Sequence, residues 1–187
     1  MSVGARRVHP QAWIAIGLIL VALYALRHTL SSTTLLVFAI IVPSIILHEI
    51  AHGVVALAFG DDTARRAGRL TLNPIRHVDP IGTLVLPGIL ALAGFGAFGY
   101  AKPVPINPSR LRSPRNHMLL VSLAGPATNL LLAGLSIVVL LDLRPPGDAR
   151  AVSVLLEAGA GLNFIPIADR IIYLVGFLNV GLAVFNL

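Results

Sequence analysis

Residues Ile45–Phe59 read IILHEIAHGVVALAF and contain His48-Glu49-Ile50-Ala51-His52, an H-E-x-x-H motif. On an α-helix, residues four apart share a face one turn apart. Both imidazoles can then reach one Zn²⁺ while Glu49 addresses a water beside it. From Thr34 to Phe59 these three are the only ionisable residues. A chance match is the bland alternative, and in a soluble amphipathic helix it would carry weight. In a membrane-length apolar run, ionisable groups are costly unless paired, and they mark function by default.

Working outward, the whole chain shares this apolar character. Hydrophobic residues make up 56% of the 187 and charged residues 12%. Several runs approach or exceed the length that spans a bilayer, and polar helix faces are mostly missing. The chain is therefore expected to be an all-α polytopic membrane protein in the lipid bilayer, with one domain over residues 1–187. The formal net charge is +6. The basic residues lie in connections between apolar runs, without interleaved aromatics, so the positive-inside rule accounts for them and no nucleic-acid partner is expected. The absence of Cys excludes disulfides, thiolate metal sites and cysteine nucleophiles.

Arg6 and Arg7 precede an apolar run at 12–26 with no small-residue cleavage site after it, which predicts an uncleaved N-terminal helix. The second run, from Thr34 to Phe59, crosses back inward. His48 lies 11 residues before Phe59, about 16 Å along the helix, near mid-membrane. Pro43 is expected to kink this helix, and Gly60 to cap it. Leu70 and Leu72 permit a short strand. The run from Ile81 to Tyr100 is long enough to span, but Arg65, Arg66, Arg69 and Arg76 precede it and Lys102, Arg110, Arg112 and Arg115 follow it. A crossing would put the two basic groups on opposite sides, so a re-entrant or membrane-dipping segment is expected. His117 to Leu141 is the next span. Its Gly125-Pro126-Ala127-Thr128-Asn129 is expected to open the helix at Gly125. That stretch serves either close packing with Asn129 bonding across helices, or contact with a substrate. Residues 151–168 read as interfacial or as a broken helix, and Ile171 to Leu187 as a last span. No internal repeat is present, which argues against a transporter built from paired broken helices.

The blocks LHEIAHGVVALAFGD, GRLTLNPIRHVDPIGTLVLP, GYAKPVPINPSRLR, VSLAGPATNLLLA and NVGLAVFNL together resemble the site-2 protease family of intramembrane zinc metalloproteases. The resemblance runs from about Ile45 to the C-terminus. It implies a core of three transmembrane helices, beside the N-terminal helix and the re-entrant segment. It implies Zn²⁺ as cofactor, His48 and His52 as metal ligands, and Glu49 as general base. Asn129 is implied as a contact to substrate or oxyanion. The third ligand is implied to be an Asp in an L-D-G stretch beyond Leu187, so the peptidase domain is expected to be incomplete at its C-terminus. His77, Asp79, His117 and Asp169 are expected to stay out of the metal site. The implied activity is hydrolysis of peptide bonds within transmembrane helices of membrane-anchored protein substrates, by a multi-pass protein of the bacterial cell membrane. The alternative is an inactive fragment or pseudoprotease that binds such substrates without cutting them.

Overall fold

The structure is a computed structural model that describes residues 32–86, 89–90, 100–142 and 166–187. By its internal contacts the chain divides into two units, Met1–Phe38 and Ala39–Leu187, and all packing discussed below lies within the second. The expected N-terminal helix at 12–26 and most of the expected interfacial segment, at 151–165, fall outside the described residues.

Every regular element among the described residues is helical. Helix α1 spans Ser32–Ala58, α2 is one turn at Thr63–Arg66, α3 spans Pro114–Asp142 and α4 spans Ile167–Phe185. Helices α1, α3 and α4 have 27, 29 and 19 residues and are long and apolar enough to cross a membrane. At about 1.5 Å per residue even the shortest covers most of a ~30 Å hydrocarbon layer. Leu131, Leu135 and Val138 on α3, and Phe177 and Val184 on α4, are exposed, as lipid-facing side chains should be. The chain is an all-α, multi-pass integral membrane protein with the expected three-helix core.

The inward faces follow helical spacing. On α1, Ser44, His48 and Ala56 are buried, with half-buried His52 between the last two. On α3, Val121, Gly125, Asn129 and Ala133 are buried. Each set recurs every four residues, so each forms a stripe along one face. His48 meets Asn129 and His52 meets Val121, so the two stripes run antiparallel. Helix α4 packs along α3 and reaches α1 through Asn179.

One helix expectation is corrected. Helix α3 runs unbroken through Pro126, so it does not open at Gly125, and α1 likewise stays helical through Pro43. A proline removes a single donor, which packing and side-chain bonds in the flanking turns can absorb. Here Ser44 Oγ donates to Ile40 O at 2.9 Å and Thr128 Oγ1 to Ala124 O at 2.9 Å. Gly60 does end α1. Its φ is 108°, and the Asp61 N–H closes back on Ala56 O at 2.9 Å, a Schellman-type stop. The stretch at Leu70–Leu72 forms bends instead of a strand. Asn73 Oδ1 accepts the Ile75 N–H at 3.0 Å and turns the chain into a 3₁₀ turn at Pro74–His77.

Of the 81–100 run, residues 87–88 and 91–99 lie outside the described residues, and its two ends meet. Tyr100 N–H donates to Gly82 O at 3.0 Å, and Lys102 N–H to His77 O at 2.9 Å. The following loop then docks on the end of α1. Asn107 N–H donates to Asp61 Oδ2 at 2.6 Å, Arg112 N–H to Phe59 O at 3.0 Å, and Arg110 pairs with Asp62. Both basic loops therefore lie at the same end of α1, the arrangement that charge asymmetry demands of a re-entrant segment. Ala56, Leu111 and Val121 form a small core there, with Val55, Phe59, Ile106 and Met118 around it.

Candidate metal centre

His48 and His52 project from successive turns of α1 toward α3. Their Nε2 atoms lie 3.0 Å apart, with the rings edge to face at 4.7 Å between centroids. Each Nδ1 is already committed. His52 Nδ1 lies 2.6 Å from Val121 O, and His48 Nδ1 contacts Asn129 Oδ1. A carbonyl oxygen only accepts, so both Nδ1 atoms carry the proton. Both Nε2 atoms are then bare, and two lone pairs facing each other at 3.0 Å repel unless they share a cation. That donor set fits Zn²⁺, for which neutral imidazoles with the second nitrogen bonded to an oxygen are common ligands. Gly125 makes the approach possible. A Cβ at that position would collide with the Nε2 atoms of both histidines.

Glu49 is held differently. Its Oε2 accepts the N–H of Val104 at 2.8 Å, leaving Oε1 for other chemistry. Val104 belongs to the extended stretch after Tyr100, where Pro103, Pro105 and Pro108 restrict the backbone. The Val104 side chain is buried and seats on Gly53, one turn beyond Glu49. A Cβ on Gly53 would lie 3.1 Å from Val104 Cγ1 and 2.6 Å from Leu70 Cδ2. The stretch is fastened at its far end by Asp61, which is 1% exposed. Asp61 accepts from Thr63 N–H at 3.0 Å, from the Thr63 hydroxyl and from Asn107 N–H. Burial pushes the Asp61 carboxyl up, but these hydrogen bonds outweigh it and hold the group below its ordinary value.

The residues set aside as third ligands do lie elsewhere. His77 Nε2 donates to Thr71 O at 2.9 Å, and Asp79 caps the Ile81 and Gly82 amides. His117 Nδ1 accepts the Ser113 N–H at 3.1 Å, and the ring stacks on Phe59. Asp169 sits in the first turn of α4. Among the described residues no group of three His, Cys, Asp or Glu side chains comes together. Asn129 is fully buried. Its Oδ1 accepts from His48 and its Nδ2 donates to Asn179 Oδ1 at 2.7 Å. The amide that the resemblance assigns to substrate or oxyanion is thus occupied by protein partners on both ends. Sequence reasoning did not single out Ser44, Gly53, Val104 or Asn179, and it gave Gly125 a different part. Two of them carried a usable signal: Ser44 is one turn before His48, and Asn179 is a lone amide in an apolar span.

Three long apolar helices with an H-E-x-x-H pair between two of them define an integral membrane protein of metallopeptidase type. Residues 35–163 match the model of the family described as peptidase family M50, and the chain belongs to this site-2 protease family. It is 49% identical over 108 residues to "Putative zinc metalloprotease YwhC" of Bacillus subtilis (strain 168), a match covering 58% of this chain and 46% of that protein. It is 42% identical over 91 residues to "Putative zinc metalloprotease Rip2" of Mycolicibacterium smegmatis, covering 48% of this chain and 34% of that one. Rip2 of Mycobacterium tuberculosis matches to the same extent. The matched stretches thus span less than half the length of each of these relatives. No solved structure matches the chain.

Proposed function

We propose that this chain carries the catalytic helices of a zinc-dependent intramembrane endopeptidase that cuts transmembrane helices of membrane-anchored proteins. The observation that carries the reading is the pair of bare Nε2 atoms 3.0 Å apart, on the same helix as a carboxylate that keeps one oxygen free. His48 and His52 would hold the zinc, which would supply a Lewis acid for a peptide carbonyl and for water. Glu49 Oε1 takes a proton at the reacting centre and delivers it to the leaving amine, while Val104 N–H keeps Oε2 from rotating into its place. His48 and His52 hold their own Nδ1 protons against Asn129 and Val121 and take no part in proton transfer. A substrate helix must unwind to present its peptide bond, since a helical carbonyl is already hydrogen-bonded.

The test is Glu49→Gln in protein that carries the L-D-G stretch, assayed for zinc by elemental analysis and for cleavage of a transmembrane substrate. Zinc is expected to remain and cleavage to disappear. Cleavage by Glu49→Gln would end the proposal for Glu49. The second reading, a substrate-binding protein that does not cut, is favoured by the lack of a third ligand among the described residues. Zinc with two neutral imidazoles keeps most of its charge in an apolar site, which is costly. Without a third ligand zinc is expected to be held weakly and without turnover, and an Asp supplied in a Pro-rich L-D-G stretch to restore both. Stoichiometric zinc and turnover by residues 1–187 alone would put the third ligand within the chain.

A further inference from the structure

A histidine ligates through Nε2 only if its proton sits on Nδ1, and for His48 that depends on Asn129. Oxygen and nitrogen of an amide are nearly the same size, so an asparagine can sit either way round unless its partners decide. With Oδ1 toward His48, Asn129 accepts the Nδ1 proton. Turned over, it would present a donor to Nδ1, drive the proton to Nε2 and block the metal-binding lone pair. His52 faces no such choice, because its partner is the main-chain carbonyl of Val121.

The partners of Asn129 decide the matter, and they lie on the other two core helices. Asn129 Nδ2 donates to Asn179 Oδ1 at 2.7 Å. Asn179 is itself held the same way round, because its Nδ2 donates to Val175 O at 2.8 Å and to Ser44 Oγ at 3.0 Å. Val175 O can only accept. Ser44 is free to accept because its own proton goes to Ile40 O. Each donor in this relay points in one direction, and both ends are main-chain carbonyls that cannot reverse. Ser44, His48, Asn129 and Asn179 are all buried, Asn129 and Asn179 fully, so no water competes. Turning Asn129 over would set its oxygen against the Asn179 oxygen in an apolar interior, where unpaired acceptors are expensive.

We infer that Asn179, acting through Asn129, is a positioning residue that fixes His48 in the Nδ1–H tautomer and so presents its bare Nε2 to the metal. This rests on the reading of His48 and His52 as the metal pair. It gives α4 a part in a centre to which it contributes no ligand among the described residues. Asn179 does not touch the reacting atoms, and its effect is carried entirely by the orientation of one amide.

The first measurement needs no metal and no variant. The ring ¹⁵N chemical shifts of His48, in metal-free protein with its rings neutral, are expected to show the proton on Nδ1. A proton found on Nε2 overturns the inference directly. The second measurement uses Asn179→Leu, close in volume and without polar atoms. It is expected to give His48 a mixture of tautomers, leave His52 as Nδ1–H, and weaken zinc binding in chelator competition by about 10- to 100-fold. Unchanged His48 shifts and unchanged zinc affinity in a folded Asn179→Leu protein overturn it. A packing role is separated by adding Asn129→Asp to Asn179→Leu. A carboxylate accepts from either oxygen, so it needs no partner to orient it and should restore both the tautomer and most of the affinity. Failure of that rescue, with helicity retained, makes Asn179 a packing residue and overturns the inference. If Asn179→Leu does not fold, Ser44→Ala, which removes one outer anchor, serves with the same readouts and a smaller shift, and no shift overturns the inference. Wild-type protein that shows the expected tautomer yet binds no zinc would instead refute the metal reading and leave the relay standing.

Discussion

The two sides of the H-E-x-x-H helix are held by different means. Behind His48 the support is a run of buried side chains on three helices, Asn129, Asn179 and Ser44. Beside Glu49 it is one backbone amide, that of Val104, in a proline-restricted loop docked at the helix end. Behind His48 this support is buried and hydrogen-bonded. The carboxylate side is half-buried and relies on a loop whose position depends on Gly53 and Asp61. The contrast suits the tasks. A metal ligand must present one lone pair without alternatives, whereas a general base must exchange a proton and keep contact with water. Damage to the two sides should therefore separate into loss of metal and loss of turnover.

The largest effect is expected where the sides meet. A Cβ at Gly125 would collide with both Nε2 atoms, so Gly125→Leu should displace both rings and abolish zinc binding and cleavage together. A core that cannot relax also pays about 1–3 kcal/mol for overpacking. Elemental analysis after chelator-free purification reads the first loss, and a melting curve in detergent reads the second. Zinc retained at wild-type level would mean that α3 does not approach the pair as described.

Next in size is a pair of variants that sets one side against the other. Asn129→Leu removes the acceptor for His48 Nδ1 and should lower zinc affinity about 10- to 100-fold. Val104→Pro removes the donor to Glu49 Oε2 and keeps the extended backbone that Pro103 and Pro105 already favour. It should leave zinc affinity within about twofold and lower kcat about 10-fold, a loss within the usual contribution of a positioned acid–base group. Equal loss of zinc in both would erase the distinction between the two sides.

This division also marks how much the sequence could disclose. The three spans, the meeting of the two ends of the 81–100 run and the pairing of His48 with His52 were legible, because length, charge asymmetry and i,i+4 spacing are local properties. The expected opening at Gly125 failed because a missing donor is a local fact, whereas its cost is set by neighbouring helices. Asn129 was legible as an intramembrane amide but not in its role. That role depends on Asn179, 50 residues further on, and no spacing rule connects the two. Ser44 and Gly125 lie on the same four-residue stripes as the histidines and Asn129, and those stripes become informative only once the two helices are known to face each other. Val104 contributes a main-chain N–H, which leaves no trace in residue type.

A smaller effect is expected at Gly53, where the loop rests against α1. Gly53→Ala places a methyl against Leu70 Cδ2 and Val104 Cγ1. Leu70 is a flexible side chain and can turn aside, whereas Val104 is fixed by its backbone. The Val104 amide should shift from Glu49 by a fraction of an ångström. A several-fold fall in kcat with unchanged zinc content is expected, well short of the loss from Val104→Pro. Turnover unchanged in Gly53→Ala but lost in Val104→Pro would show that the loop follows its hydrogen bonds and not its packing.

The smallest effect is a matter of pH. Asp61 ties Asn107 and Thr63 to the end of α1, and its carboxyl is held below the ordinary carboxylate value once hydrogen bonding has outweighed burial. A group whose folded value is depressed contributes stability that is present above its unfolded value, about 3.9 for Asp. That contribution is lost as the pH falls through the folded value. Asp61→Asn keeps the shape and one acceptor oxygen but cannot ionise. Wild type should melt higher than Asp61→Asn near neutral pH, and the two should converge as the pH drops below the carboxylate range. Turnover near neutral pH should fall only slightly in the variant, since the amide oxygen can still accept from Asn107. A melting difference that stays constant down to acid pH would mean that the Asp61 charge does not fasten the loop. The hold on Glu49 would then come from the packing of Val104 on Gly53 and from the Lys102, Arg110 and Arg112 contacts.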